Sequence, residues 1–422
     1  MNIAIQSLID RHTTQKVTQC GGGCRCTKPK NPNADMADLR MYNCCVSITS
    51  AQTTDDVVVV KWSDGTTDQF HHGWLRENDP SPASRHPISR ERIVKPLSIP
   101  AFIRPKSVCV HSNGALSVTW SEHNSNHTSL FDAGWLRAHS YCGSKSTQTP
   151  NQTRPDRPSP AIAVWHDLLS SQDALRNWLD SYLLSGWSIV VGVPHEDGAA
   201  VKLGQRIGTV RSSNFGFSFD VKSKAEPISN AYTSGFLPLH TDLPHYQMPP
   251  GLQILHCLQN EAEGGESLLA DGLAVADLLA REEPETFRIL TNTTVPYRFQ
   301  DADSDYITRH PIIECDETGH PVYINWSNST IAPLDTPFDA MPALRAAIRR
   351  FVTLIESPRF LIERKLRPGE ALVFDNRRML HGRTAFQPET GARHLQGCYL
   401  DTSEVLSRRE VLTRRNSDLA FA

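Results

Sequence analysis

The chain has 422 residues, a net charge of −3, and a hydrophobic content of 39% with 8% aromatic. This is length enough for two or three domains with a sizeable core. It offers no basic face for nucleic acid, and no apolar run reaches the ~18 residues that cross a bilayer. Neither nucleic acid nor a membrane is therefore expected as a partner.

The N-terminus "MNIAIQSLIDRHTTQK" carries Asp10 and lacks a long apolar core, which argues against a secretory signal. A cytoplasmic location is expected, with a mitochondrial one left open. Residues 1–50 read as a flexible extension holding "CGGGCRC" and Cys44-Cys45. Without a signal peptide the 10 Cys are expected as reduced thiols. The Gly-rich Cys spacing does not match a zinc knuckle.

"DDVVVVKWSDGTTDQF" is a hairpin pattern, a β-branched run followed by an Asp64-Gly65 turn. "SVCVHSNGALSVTWSEH" repeats it with Asn113-Gly114. Each is followed by F-x-x-G-W-L-R, at Phe70–Arg76 and Phe131–Arg137. Residues 51–142 thus read as a small β-rich domain of two quasi-repeated halves, its Trp and Leu packing on the sheets. A polar, Pro- and Ser-rich stretch, 143–161, reads as a linker.

Residues 162–422 have a different texture. "DALRNWLDSYLLSG" predicts a helix ended by Gly186, and "WSIVVGV" a buried strand. "PALRAAIRRFVTLIES" predicts a helix with Leu344, Ile348, Phe351, Val352 and Ile355 on one face. Short strands between Gly, Pro, Asn and Asp turns make up most of the rest. The fold class expected is mainly β with flanking helices (α+β), an antiparallel jelly roll preceded by the small β domain.

His-x-acid occurs twice, at His195-x-Asp197 and His240-x-Asp242. With 17 His and 46 acidic residues about two such triplets arise by chance, so the spacing alone says nothing. His195 sits in "GVPHEDGAA", a strand exit that reads as a surface turn. His240 and Asp242 share a face by strand parity. His381 is followed twelve residues later by Arg393, on a strand-like run that puts Arg393, Leu395, Gly397 and Tyr399 on one face. An Arg on the inner face of a barrel needs an anion, and a dicarboxylate supplies one bidentately. Two His and a carboxylate on one side of a metal form the facial triad of non-haem Fe(II) oxygenases.

From about 165 to 415 the chain resembles the γ-butyrobetaine/trimethyllysine hydroxylase branch of the taurine-dioxygenase-like Fe(II)/2-oxoglutarate oxygenases. The matching stretches are "NFGFSFDV", "NAYTSGFLPLHTDLPHYQMPPGLQILHC", "GGESLLADG", "FDNRRMLHGR" and "RHLQGCYLD". "WLRENDP" and "WLRAHSYC" resemble the N-terminal domain of γ-butyrobetaine hydroxylase. The resemblance implies a double-stranded β-helix and iron held by His240, Asp242 and His381. It also implies 2-oxoglutarate held by Arg393 and lined by Leu255, consumption of O2 with release of succinate and CO2, and ascorbate as support. Hydroxylation, desaturation and ring formation all stay open.

An aromatic cage for a trimethylammonium group would fall on Phe215, Phe219, Tyr232 and Tyr399, and carboxylate contacts on Ser327 and Asn328. The family's N-terminal zinc site needs three Cys and a His. "RENDPSPASRH" has no Cys, and His127 alone is a poor site, so structural zinc is not expected. These departures favour a diverged enzyme acting on a small amine-bearing metabolite in a specialised pathway. The alternatives are a γ-butyrobetaine or trimethyllysine hydroxylase, and a catalytically silent jelly-roll binding protein. The basic C-terminal stretch 401–416 suggests a homodimer helix.

Overall fold

The computed structural model describes residues 46–122, 125–141, 154–222 and 233–416, with the backbone of a two-strand ladder, Thr18–Gln19 against Arg25–Cys26. The chain divides into two compact units, Met1–Asn151 and Gln152–Ala422.

The first unit contains two three-stranded antiparallel sheets. One comprises Ile48–Thr53, Val57–Trp62 and Thr67–His71, the other Pro105–Val110, Leu116–Glu122 and Ser125–Phe131. The hairpin turns place Gly65 and Gly114 at φ +85°, a conformation an L side chain resists. Each F-x-x-G-W-L-R begins on the last strand of its sheet and continues into a short helix, His72–Glu77 or Ala133–Ala138. Phe70, Leu75, Phe131 and Leu136 are buried in one core, and the Trp74 and Trp135 rings meet at 5.7 Å. The repeat is therefore a packing device, as its sequence suggests.

His127 is engaged within this unit. Its Nε2 lies 2.7 Å from Oδ2 of the fully buried Asp79, which also accepts from the Ser81 hydroxyl at 2.6 Å. Burial opposes ionisation of Asp79, but bonds from Ser81, Ser84 and His127 outweigh it and hold the carboxyl below its ordinary range. A carboxylate with a depressed folded-state pKa stabilises the fold above its unfolded pKa. That contribution disappears as pH falls through the folded value. Asp79→Ala is expected to destabilise the unit by about 3 kcal/mol, because it strips a buried network of its acceptor. The wild-type excess in stability should fade below the carboxylate range. Calorimetric melts of both proteins across acid pH measure this.

The second unit is built on two facing sheets. The larger runs in the order Val210–Arg211, Arg393–Leu400, Leu252–Asn260, Glu370–Asp375, Trp187–Val191, Ala161–Val164, with Phe219–Val221 also paired to Arg393–Leu400. All its pairings are antiparallel except that of Ala161–Val164 with Trp187–Val191. The smaller sheet is Leu237–His240, Met379–Arg383, Ser267–Asp271, Ile362–Arg364. Leu372, Phe374 and Leu395 of the larger sheet pack with Leu269 and Met379 of the smaller in one core. This is the two-sheet jelly roll expected from the turn pattern.

Helices cover both outer faces. Gln172–Ser185 and Ala199–Ile207 lie on the larger sheet, burying Trp178, Leu179 and Leu203 against Ile254, Val373 and Cys398. Gly272–Glu282 and Met341–Ile355 cover the smaller, through Val275, Leu279, Leu344 and Phe351. The helix expected before Gly186 ends there in a left-handed turn at φ +79°. The Arg378 guanidinium lies where a Cβ at Gly186 would sit, and donates to Leu184 O at 3.0 Å and to Asp271 Oδ2 at 2.6 Å. Asp271 in turn caps the helix Gly272–Glu282.

Arg154 pairs with Asp277 at 2.6 Å, and Trp187 donates to Pro158 O at 2.8 Å. Residues 154–160 of the expected linker are thus tied to the second unit. Cys109, Cys257, Cys315 and Cys398 are free thiols, while the early cysteines up to Cys45, apart from the Cys26 backbone, and Cys142 lie outside the described residues. Among the described residues no helix is long and apolar enough to cross a membrane.

Candidate active site

His381 sits on the strand Met379–Arg383, flanked by Leu237–His240 and Ser267–Asp271. His240 is its direct cross-strand partner. The two rings face each other at 4.3 Å. Asp242 lies beyond the end of its strand, so strand parity does not bring it to the site. A turn does. Leu243 adopts φ +57°, and Thr241 N donates to Trp326 O at 2.7 Å. Buried Asn376 accepts from Asp242 N at 2.6 Å and donates to Asp242 O and Pro250 O, both at 3.0 Å. One side chain thus clamps the backbone that aims the carboxylate.

His240 Nε2 lies 3.2 Å from Asp242 Oδ1, and His381 Nε2 3.7 Å from Asp242 Oδ2. One ligand atom from each of the three residues falls within 4.8 Å of the others, the only such group found among the described residues. His240 Nδ1 donates to Pro238 O at 2.8 Å, which turns Nε2 to the site. Burial would lower the His240 pKa, but the Asp242 carboxylate outweighs it and raises it above its ordinary value. Burial, reinforced by neighbouring His240, lowers the His381 pKa to about 3, so its ring is neutral and free to ligate. Burial alone would raise Asp242, but His381 and His240 win, and the carboxyl stays ionised well below its usual range. A carboxylate and two imidazoles on one side of a point suit Fe(II), which would displace any proton they share.

The triad lines a cavity of about 680 Å³ including its open mouth. Arg393, Leu395 and Tyr399 enter it from one strand, Gln253 and Leu255 from the next, with Phe215 and Phe219 beside them. Arg393 is 8% exposed, and its Nε has no hydrogen-bond partner. Burial lowers its pKa to about 10, which leaves it a cation. A buried, under-satisfied guanidinium facing a cavity is a receptor for an anion. Arg383, on the His381 strand, faces the same space, and both guanidiniums lie over the Phe386 ring.

Phe219 stacks on Tyr399 at 4.9 Å, while Phe215 packs edge-on to Phe299 at 5.7 Å. Gly397 makes room for this, since a Cβ there would come within 2.6 Å of the Phe219 ring. Tyr399 also donates to Asp242 Oδ2 at 2.7 Å, joining the aromatic wall to the triad. Tyr399→Phe is expected to lower kcat/KM about 10-fold, the loss of one hydrogen bond to a charged group. Steady-state kinetics with saturating iron tests it.

Ser327 is buried and Asn328 exposed, and neither lines the cavity. Tyr232 lies outside the described residues. His195 and Asp197 sit on an exposed turn. Gln253, Ser267, Arg383 and Asn376 were not singled out from sequence. Gln253 shares strand parity with Leu255, and Arg383 with His381, so two of the four were within reach of that reasoning.

Residues 153–399 match the model of the taurine catabolism dioxygenase TauD, TfdA family, and residues 49–137 that of the N-terminal domain of γ-butyrobetaine hydroxylase-like proteins. The chain is 40% identical over 385 residues to a γ-butyrobetaine dioxygenase of Pseudomonas sp. (strain AK-1), covering 90% of this chain and 100% of that protein. The γ-butyrobetaine dioxygenase of Homo sapiens is 30% identical, covering 88% and 98%. A mitochondrial trimethyllysine dioxygenase of Mus musculus is 29% identical, covering 82% and 84%. The chain belongs to the TauD, TfdA family and is an Fe(II)/2-oxoglutarate-dependent dioxygenase.

Proposed function

We propose that the chain hydroxylates a small quaternary-ammonium carboxylate of the γ-butyrobetaine type. The relatives favour this over a diverged amine oxidation, and one observation carries it: a stacked pair of aromatic rings, Phe219 and Tyr399, forms a wall of the cavity that holds the triad. Ring faces attract a cation that has no N–H to donate.

In this reading His240, Asp242 and His381 hold Fe(II), and Arg393 pairs with the distal carboxylate of 2-oxoglutarate beside Leu255. When bound, the iron activates O2 at the expense of the 2-oxoacid, which leaves as succinate and CO2. The protein's own part is positioning. Asn376 and Tyr399 fix the Asp242 carboxylate, and Pro238 O fixes the His240 tautomer. Phe215 and Phe219 hold the substrate's methyl groups and keep water from the reacting carbon. Ascorbate supports repeated turnover. The first unit works without structural zinc, since Asp79 occupies His127, and metal analysis finding one zinc per chain would contradict this. A homodimer through the helix Thr402–Asn416 and a cytoplasmic location complete the proposal. Light scattering tests the first and cell fractionation the second.

The functional test is 2-oxoglutarate decarboxylation with Fe(II) and ascorbate, with γ-butyrobetaine, trimethyllysine or a panel of unmethylated amines. The strongest stimulation is expected from γ-butyrobetaine. Stimulation by unmethylated amines alone would reject the quaternary-ammonium reading.

A further inference from the structure

Phe215 lines the cavity from the tip of a tight turn, not from a strand. Ser213 and Gly216 close that turn with reciprocal backbone bonds at 3.0 and 2.9 Å, and Gly216 completes it at φ +98°. Asn214 and Phe215 are the two residues between them. A loop tip moves unless something outside the loop holds it. A ring that attracts a cation through its face needs such a hold, because the attraction depends on how the ring is presented.

The hold comes from the segment that follows Asp242. The Tyr246 hydroxyl accepts from Asn214 N and donates to Asn214 Oδ1, both at 2.9 Å. The Phe215 ring meets Phe299 edge-on, and Phe299 in turn stacks on His245 at 5.1 Å. Tyr246 is itself fixed at its backbone. Its N–H donates to Leu243 O at 3.0 Å, inside the turn that aims the Asp242 carboxylate, and its carbonyl accepts from His310 Nε2 at 2.9 Å. Its ring packs on Tyr306 at 4.7 Å, with the Arg211 guanidinium 5.6 Å from the ring centre. Tyr246 does not line the cavity. One short piece of chain thus sets both a ligand of the triad and the support of the aromatic wall, which fixes the wall relative to the triad.

We infer that Tyr246 is a positioning residue: its hydroxyl, bound to Asn214, holds the Phe215 ring against the quaternary ammonium of the substrate. The inference rests on the quaternary-ammonium reading above. Tyr246→Phe deletes the hydroxyl and keeps the ring contacts. The turn is half-buried, so water takes over the two lost bonds and the fold survives. Phe215→Ala deletes the wall itself, and a third protein combines both changes. γ-Butyrobetaine is titrated calorimetrically, without O2, into each protein loaded with Fe(II) and 2-oxoglutarate. 2-Oxoglutarate is titrated into each iron-loaded protein.

Tyr246→Phe should weaken γ-butyrobetaine about 10-fold and leave 2-oxoglutarate affinity unchanged. Phe215→Ala should weaken γ-butyrobetaine at least as much. The double variant should bind it no more weakly than Phe215→Ala alone, because the hydroxyl acts through the ring. Wild-type γ-butyrobetaine affinity in either single variant, an equal loss of 2-oxoglutarate affinity, or a further 10-fold loss in the double variant would each overturn the inference. If γ-butyrobetaine does not bind the wild-type protein, the quaternary-ammonium reading itself fails, and this one with it.

Discussion

An Asp242→Ala protein is expected to lose substrate-stimulated decarboxylation of 2-oxoglutarate to background and to retain no stoichiometric iron, while remaining folded at the assay temperature. Asp242 is the single anionic donor of the triad, poised between His240 Nε2 at 3.2 Å and His381 Nε2 at 3.7 Å. Two neutral imidazoles are a poor site for Fe(II), which favours a mixed nitrogen and carboxylate set. Removing the carboxylate also takes the acceptor from the Tyr399 hydroxyl, so a loss of about 1–3 kcal/mol in stability is expected as well. Metal analysis after desalting, with a thermal melt of the same sample, separates loss of iron from loss of fold. Wild-type iron content in the variant would mean that the triad is not the metal site.

Arg393→Ala is expected to raise the 2-oxoglutarate KM by about two to three orders of magnitude and to leave iron binding intact. Truncating one partner of a buried, hydrogen-bonded charge pair costs about 2–5 kcal/mol, or roughly 30- to several-thousand-fold in affinity. Arg393 fits that description once a dicarboxylate is present, because its Nε is otherwise unpaired. Arg383 shares the Phe386 ring but its Nη2 donates to Thr233 O and Gly235 O at 2.8 and 2.9 Å. Among the described residues Arg393 Nη2 has only a longer bond, to Gly265 O at 3.4 Å, so Arg383 is the better satisfied of the two. Arg383 should not replace Arg393. A titration of initial rate against 2-oxoglutarate decides it, and an unchanged KM would assign the anion elsewhere.

The fold and the ends of the site were legible in the sequence for different reasons. The helix ended by Gly186 and the hairpins turning at Gly65 and Gly114 declared themselves through local chemistry, a left-handed residue where the chain had to reverse. Arg393, Leu395 and Tyr399 could be placed on one face because the strand Arg393–Leu400 is regular. Asp242 reached the site by another route. Its strand stops at His240, and a turn clamped by Asn376 does the aiming from 134 residues away in sequence. No periodicity records such a contact. Ser327 and Asn328 were placed by resemblance alone, and the cavity does not include them. Gln253 was hidden in an apolar strand whose burial pattern gives no sign that its amide lines the cavity.

The most direct test of the account is stoichiometric: succinate formed against γ-butyrobetaine hydroxylated, in one reaction with Fe(II), O2 and limiting 2-oxoglutarate. A ratio near one, with the added oxygen on a carbon of the substrate chain, is the expected result. Succinate formed at the same rate with and without γ-butyrobetaine, and no hydroxylated product, would contradict the account.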